Sequence, residues 1–235
     1  MQRRLPSRLL PLLAALSLYA CDDDPPPTGN EPPPATTTAP PSTAGGSLRA
    51  AQLSEDARSV DFVVNGQVLA AGIDYGGVGP YAPLNPGDYR IQFFPEGDRD
   101  AAILETRLTL GADQAVTVAL VGDSSATVNV THERSTRSDR ARLSMVNTVP
   151  DYPAPFDLVI QNGPGLFQGI GYLQTSGPTE LIPGVYGLEL RRGGTTEEVA
   201  DISGQAMSSG ANYTVFAFGS LARDDIELLV TRDTF

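Results

Sequence analysis

One strand-and-turn pattern occurs twice in this chain and restricts what the chain can fold into. Residues 60–66 read VDFVVNG, and residues 156–163 read FDLVIQNG. In both copies large apolar side chains alternate with a second face, which is typical of a β-strand. Each copy ends in Asn-Gly, a pair that accepts the positive φ angles of a tight hairpin turn. We therefore predict strand, turn and strand in both places, with turns at Asn65-Gly66 and Asn162-Gly163.

Other segments repeat at a constant distance of 97 residues. The matched pairs are 72–75 with 169–172, Pro86-Gly87 with Pro183-Gly184, and 117–122 with 214–219. The offset is 96 between Asp61 and Asp157 and 100 between Val130 and Val230. Such regularity indicates one duplicated structural unit, with insertions near the Asn-Gly turn and after Gly219. We expect both insertions to lie in loops.

The periodicity within each unit is that of strands. Tyr89, Ile91 and Phe93 share one face, whereas residues 116–121 are apolar on both faces and predict a central, doubly covered strand. The 24 Gly and 20 Pro favour turns over helices. We predict an all-β fold: two tandem antiparallel β-sandwiches of the immunoglobulin-like kind, each with about seven or eight strands, and no helix after the leader.

Residues 1–20 have the features of a signal peptide. Arg3, Arg4 and Arg8 precede an apolar run from residue 9 to residue 18, which is too short to span a bilayer. The following Leu-Tyr-Ala-Cys resembles the lipobox of bacterial lipoproteins. The resemblance implies that Cys21 is diacylated, that the leader is removed, and that the new amino terminus receives a further acyl chain such as palmitate. It implies a membrane-anchored lipoprotein of the bacterial cell envelope, facing the periplasm or the exterior; the alternative is an ordinary cleaved leader with an incidental cysteine.

The next segment differs sharply in composition. It is rich in Pro and Thr and opens with three Asp, a composition that predicts a disordered tether. Its roughly 26 residues would reach about 80 Å if extended as polyproline II. The predicted organisation therefore has five parts. A lipoprotein signal peptide (1–20) is followed by a lipidated cysteine with its tether (21–47), a first β-sandwich (48–133), a basic connector (134–141) and a second β-sandwich (142–235).

The two units are similar to a bacterial extracytoplasmic family known as domain of unknown function 4397. The resemblance lies in residues 49–61 with the Asn-Gly that follows, in residues 149–157, and in a Tyr-x-x-Leu-x-Pro-Gly-x-Tyr element at residues 81–89. It implies tandem β-sandwiches that are secreted or attached to a surface, with no established activity. The His of the family's opening motif is replaced here by Gln52 and Asn147. With the motif aspartates these give the candidate binding residues Gln52, Asp56, Asn147 and Asp151.

Composition excludes several kinds of chemistry. The chain has no Lys and a single Cys, so phosphate-binding P-loops, Schiff-base lysines, zinc fingers and disulfides within the chain are excluded. The only His, His132, is predicted to be a surface residue. The net charge of −12 repels nucleic acid. We expect no catalytic residue, no metal and no cofactor.

Carboxylates are the remaining candidates for chemistry. Three acid pairs could flank a glycosidic bond or hold calcium, but all lie in predicted turns, where acidic residues are common: Asp98 with Asp100, Glu197 with Glu198, and Asp224 with Asp225.

Two classes of function stay open. The first is a lipid-anchored, non-enzymatic binding or structural module, whose loops contact an envelope protein or polysaccharide. The second is a carboxylate-based or calcium-dependent hydrolase of such polysaccharides. The arginines of the connector are predicted to hold the two acidic units together, and the alternative is that they bind an external anion.

Overall fold

The computed structural model describes residues 45–133 and 137–234. The predicted signal peptide, Cys21, nearly all of the tether and Arg134 lie outside the described residues, so lipidation and tether structure stay predictions. Within the described ranges every regular element is a strand. These ranges contain no helix that is long and apolar enough to cross a membrane.

The first repeat contains nine strands, two of them very short. They are β1 Gly46–Ser54, β2 Val60–Val64, β3 Gln67–Ile73, β4 Gly77–Val78, β5 Ala82–Leu84, β6 Gly87–Pro95, β7 Leu104–Leu110, β8 Gln114–Gly122 and β9 Ala126–Glu133. The second repeat contains eight. They are β10 Ala141–Asn147, β11 Phe156–Ile160, β12 Gly165–Ile170, β13 Thr179–Leu181, β14 Gly184–Arg192, β15 Glu198–Met207, β16 Asn212–Phe218 and β17 Glu227–Asp233.

Each repeat has two sheets with the same strand order. One sheet has the order β3-β2-β6-β7 in the first repeat and β12-β11-β14-β15 in the second. The other sheet has the order β4-β1-β8-β9 in the first repeat, where β5 also pairs with β1, and β13-β10-β16-β17 in the second. This correspondence confirms the all-β tandem fold predicted from the offset of 97. Most pairings are antiparallel, but β1 pairs with β8 and β10 with β16 in parallel. The loops after β11 and β16 contain the predicted insertions.

Each repeat has its own hydrophobic core between its two sheets. Phe62, Ile91 and Phe93 are fully buried in the first, and Phe156, Leu158 and Leu190 in the second. Burial of apolar surface on this scale is the main stabilising term of such a sandwich.

A third hydrophobic cluster lies between the repeats. It forms where the sheet containing β1 and β8 meets the sheet containing β10 and β16; we call these the seam sheets and their contact the seam. Its buried members are Ala51, Leu53, Ala119, Val121, Val128, Val130, Val146, Phe216 and Phe218. The second apolar face predicted for residues 116–121 is thus covered by the other repeat, and the described residues, 45–133 and 137–234, belong to one compact unit.

A buried ion pair joins the first strand to the last across the seam. Arg49 of β1 pairs with Asp233 of β17, and both side chains are almost fully buried. Arg49 Nε also donates to Thr117 Oγ1 at 2.9 Å, and Arg49 Nη2 to Thr231 Oγ1 at 3.1 Å. The guanidinium stacks 4.2 Å from the ring centre of Tyr81. Because most of the guanidinium's donors are matched, the charge is tolerated at this depth.

In the connector, Arg137 pairs with Asp139 and Glu180, and Arg140 pairs with Asp139. These partners belong to the connector and to the second repeat. The seam therefore supplies an attachment between the repeats that the connector prediction did not include.

Candidate functional site

Two of the predicted binding residues, Gln52 and Asn147, form hydrogen bonds at the end of the first strand of their respective repeats. Gln52 Oε1 accepts from the backbone N–H of Ser54 at 2.9 Å, and Gln52 Nε2 donates to the carbonyl of Ser54 at 2.9 Å. Asn147 Oδ1 accepts from the N–H of Val149 at 3.0 Å, and its Nδ2 donates to the carbonyl of Ile170 at 3.0 Å. Both amides are buried and hydrogen-bonded to the chain's own backbone.

The other two candidates differ from each other in their contacts. The Asp151 carboxylate accepts from Ser220 Oγ at 2.7 Å and from the N–H groups of Leu221 and Ala222, each at 2.9 Å. Burial alone would raise the pKa of Asp151, but these hydrogen bonds lower it below its usual value. Asp56 is exposed and lies 3.5 Å from Arg223. Asp151 thus fixes a loop, whereas Asp56 keeps a solvent-facing carboxylate.

Asp56 and Asp151 line one cleft, although they come from different repeats. The cleft has a volume of about 130 Å³ and lies where the loops after β1, β8, β10 and β16 meet at one end of the seam. We call it the acidic cleft; its other polar lining includes Glu55, Asp123 and Ser220. Gln52 and Asn147 do not line it.

Glu55 is a carboxyl group of the acidic cleft whose pKa is raised. Burial is the main reason that its pKa is raised, and the charge of Asp225 raises it further. Arg223, whose Nη1 lies 2.6 Å from Glu55 Oε2, opposes this shift. Glu55 therefore binds a proton more readily than an exposed glutamate does.

Two tyrosines at equivalent positions of the repeats stand beside this cleft. Tyr75 belongs to the first repeat, and its ring packs edge-on against Phe218 of the second, with ring centres 5.5 Å apart. Tyr172 belongs to the second repeat, and its hydroxyl lies so close to Gly122 of the first that a Cβ there would be 2.9 Å from it. Tyr75 is 37% exposed and Tyr172 is 40% exposed.

Nearby carboxylates act on both tyrosines. The pKa of Tyr75 is raised by burial and then by Glu55, and that of Tyr172 by burial and then by Asp123. The sequence placed both tyrosines in the repeated pattern but did not identify them as site residues. The available signal was the Gly-Ile-x-Tyr motif that both repeats share, whose last residue is a large aromatic.

The three predicted acid pairs lie in loops, except that Glu198 is the first residue of β15. Asp98 accepts the N–H of Asp100 at 2.8 Å, Glu197 lies 3.5 Å from Arg192, and Asp225 accepts the N–H of Ser220 at 2.8 Å. No group of three or more His, Cys, Asp or Glu with the geometry of a metal site occurs among residues 45–133 and 137–234.

His132 is not a surface residue, contrary to the sequence prediction. Only 7% of it is exposed, because β9 packs against the second repeat. Its Nε2 lies 3.2 Å from Thr214 Oγ1 and 3.6 Å from Asp233 Oδ2. Burial lowers the pKa of His132 despite the opposing effect of Asp233. In the sequence His132 lies beside a charged segment, which gave no indication that the second repeat would bury it.

A family model described as "Domain of unknown function (DUF4397)" matches residues 46–158 and 141–235. The chain belongs to the DUF4397 family. The two matches together span more than half of the chain and correspond to its two repeats. A search of curated proteins gave no match.

Solved structures similar to this DUF4397 chain are distant from it. The Bacillus anthracis TIE protein is 13% identical with a TM-score of 0.26, and the match covers 75% of this chain but only 34% of that one. A family CBM26 module of Eubacterium rectale Amy13K, solved with maltoheptaose, is 10% identical with a TM-score of 0.26, covering 80% of this chain and 98% of that one. A putative cell adhesion protein of Bacteroides fragilis is 12% identical with a TM-score of 0.21, covering 75% and 84%.

The repeated turn residues have structural roles in both DUF4397 repeats. Tyr89 donates its hydroxyl to the carbonyl of Asn85 at 2.6 Å, and Tyr186 to that of Ile182 at 2.5 Å. Each bond closes the chain around the Pro-Gly pair at the start of a central strand, namely Pro86-Gly87 at β6 and Pro183-Gly184 at β14.

The two Asn-Gly turns differ. Asn65 and Gly66 have φ of 49° and 81°, as a two-residue hairpin turn requires. In the second repeat Asn162 has a φ of 57° while Gly163 has an ordinary φ and donates its N–H to the carbonyl of Ile160 at 2.8 Å. The extra residue of this loop accounts for the difference.

Proposed function

We propose that this protein is a lipid-anchored, extracytoplasmic binding module that holds a hydroxyl-rich partner at the acidic cleft. The observation that carries the proposal is the reciprocal placement of Tyr75 and Tyr172. Each tyrosine contacts the opposite repeat, and part of each side chain stays exposed to solvent beside carboxylates. The binding surface therefore depends on both repeats being in place.

The chemistry of this surface favours a neutral polysaccharide. Tyrosine offers a flat apolar face and a polar hydroxyl, and it is enriched where an apolar contact must end in a polar one. Carboxylates such as Asp56 and Asp123 are acceptors for the hydroxyl groups of a sugar. A strongly anionic polymer would be repelled by a chain with a net charge of −12. A cationic envelope protein is the competing partner.

Affinity electrophoresis of the full chain, in gels containing a soluble neutral glucan or mannan, tests the binding role. We expect retardation of the wild type, and its loss in Tyr75→Ala and Tyr172→Ala. Val185→Ala is the matched control, because Val185 is 71% exposed and does not line the acidic cleft. Equal migration of all variants would reject the polysaccharide, and crosslinking to a basic envelope protein would assign the surface to that partner.

The location is tested separately. The signal-peptide pattern and the lipobox-like sequence before Cys21 support an acylated, envelope-facing protein. Growth with radiolabelled palmitate should label the wild type but not Cys21→Ser. Recovery of unlabelled mature protein in the medium would contradict the anchor.

Glu55 favours a second candidate function, a carboxylate-based hydrolase. A carboxyl group with a raised pKa beside ionised carboxylates is the arrangement of a general acid in glycoside hydrolysis. If it applies, the full chain releases reducing ends from a polysaccharide, and Glu55→Gln abolishes the release while binding persists. Binding without any release supports the non-enzymatic role.

A further inference from the structure

A second cleft lies in the seam, and its lining differs from that of the acidic cleft. It has a volume of about 80 Å³ and is lined by residues of both repeats, including Thr131 and His132 of β9 and Arg142 and Ser144 of β10. We call it the arginine cleft. It shares no lining residue with the acidic cleft.

Arg142 supplies the positive charge of the arginine cleft. Within the part of the chain that the structure describes, its guanidinium makes no ion pair and no hydrogen bond, although the side chain is only partly exposed. The residue opposite Arg142 in the pairing of β10 with β13 is Glu180, and the Glu180 carboxylate lies 3.5 Å from Arg137 Nη1. Arg142 also lowers the pKa of His132, which indicates that its charge acts on the imidazole.

The remaining walls supply neutral hydrogen-bond donors. Thr131, Ser144, Thr175 and Ser176 line the cleft, and each carries a hydroxyl group. Ser176 Oγ already accepts the N–H of Met145 at 2.8 Å, so its own O–H is free to donate. One guanidinium surrounded by hydroxyl donors is a set that recognises an oxyanion.

We propose that the arginine cleft binds one small oxyanion, either a free inorganic ion or the carboxylate or sulfate end group of an envelope polymer. The volume of the cleft equals that of roughly two or three waters at about 30 Å³ each, which suits a single anionic group. The guanidinium forms the bidentate contact, and the hydroxyls satisfy the remaining oxygens. Because the walls come from both repeats, the bound anion also stabilises the seam.

The single His of the chain provides the measurement. His132 lines the cleft, so its imidazole NMR signals report occupancy without ambiguity in a full chain prepared without a histidine tag. Sodium sulfate, sodium acetate and methyl glucuronide are titrated in separate series, with sodium chloride holding the ionic strength constant. We expect a saturable shift of the His132 signals, and an upward change of the His132 pKa when the anion is bound.

Variants separate binding from a general salt effect. Arg142→Gln should weaken the binding by about tenfold or more, since a charged hydrogen bond is lost. Arg140→Gln is the matched control and should leave it unchanged, because Arg140 pairs with Asp139 and does not line the cleft. If Arg142→Gln does not fold, Ser144→Ala provides the second variant, with weaker binding expected.

The outcomes are distinct. Saturation by sulfate or acetate assigns the site to free ions, and saturation by the glucuronide alone assigns it to a polymer end group. A shift that is linear in every salt, or one that is equal in wild type and Arg142→Gln, overturns the proposal.

Discussion

Asp61 and Asp157 show how one side chain holds the same irregularity in both repeats. Asp61 accepts the N–H groups of Gly72 and Gly97 at 2.8 and 3.0 Å, and Asp157 accepts those of Gly169 and Gly194 at 2.7 and 2.8 Å. The contacts lie where the pairing of β2 with β3, and of β11 with β12, shifts register. Each aspartate thus binds the N–H groups of two loop glycines.

Asp61→Ala should lower the free energy of unfolding by about 2–4 kcal/mol, because two backbone donors lose a charged acceptor. Burial alone would raise the pKa of Asp61, but the two N–H groups and Arg99 lower it. Its stabilisation is therefore present above the unfolded pKa of about 3.9 and is lost as the pH falls through the lower folded value. Urea denaturation measures both effects. Asp98→Ala, at an exposed turn, is the control, and an equal loss there would contradict the assignment.

His132 makes a second pH-dependent contribution. Its folded pKa is lowered by burial, so the unfolded chain takes up the proton first, and stability falls as the pH drops below about 6.5. The charged groups that face it are Asp233, Arg49 and Arg142. We expect His132→Gln to show a smaller loss of stability between pH 7.5 and pH 5 than the wild type, in parallel urea titrations. Identical slopes would mean that the imidazole does not titrate differently on folding.

At the scale of elements, short-range sequence signals were sufficient to predict where strands and turns lie. The Asn-Gly pairs, the Pro-Gly pairs and the alternation of apolar residues each depend on neighbours in the chain, and all of them coincide with the observed turns and strands. The turn at Asn162 departs from the prediction because one inserted residue changes which position has a positive φ.

A pair of glycine substitutions tests the turn. Gly66 has a φ of 81° and open space around it, so Gly66→Ala is opposed by backbone strain alone and should cost about 1–2 kcal/mol. Gly177 also has open space but an ordinary φ, so Gly177→Ala should be nearly neutral. Thermal denaturation of the two variants compares them directly. Equal melting temperatures would show that the first hairpin does not require its left-handed residue.

At the scale of the whole molecule, the sequence did not predict that the two repeats pack against each other at the seam. The apolar second face of residues 116–121 indicated a cover, but it did not say which surface provides it. Arg49 and Asp233 are 184 residues apart, and no local pattern connects them. The buried His132 and the acidic cleft depend on the same long-range packing. For that reason the sequence identified Asp56 and Asp151 without bringing them together.

The buried ion pair should be costly to break from either side. Arg49→Met and Asp233→Asn each leave a partner uncompensated and should lower the free energy of unfolding by about 3–5 kcal/mol. Arg49→Met combined with Asp233→Leu should recover part of this loss. Guanidinium denaturation followed by circular dichroism gives the three values. Glu105→Gln, which breaks the exposed pair with Arg90, should have little effect. Additive losses in the double variant would contradict direct coupling.

The parallel pairing of β1 gives the protein a mechanical property. The chain enters its folded body through β1, and that strand lies inside its sheet, with β8 on one side and the short β4 and β5 on the other. Tension arriving from the amino-terminal side therefore acts along β1 and loads its eight residue pairs with β8 in shear, all together rather than one after another. If the proposed anchor holds the chain by its amino-terminal side, the folded body resists a pull there without its strands separating one pair at a time.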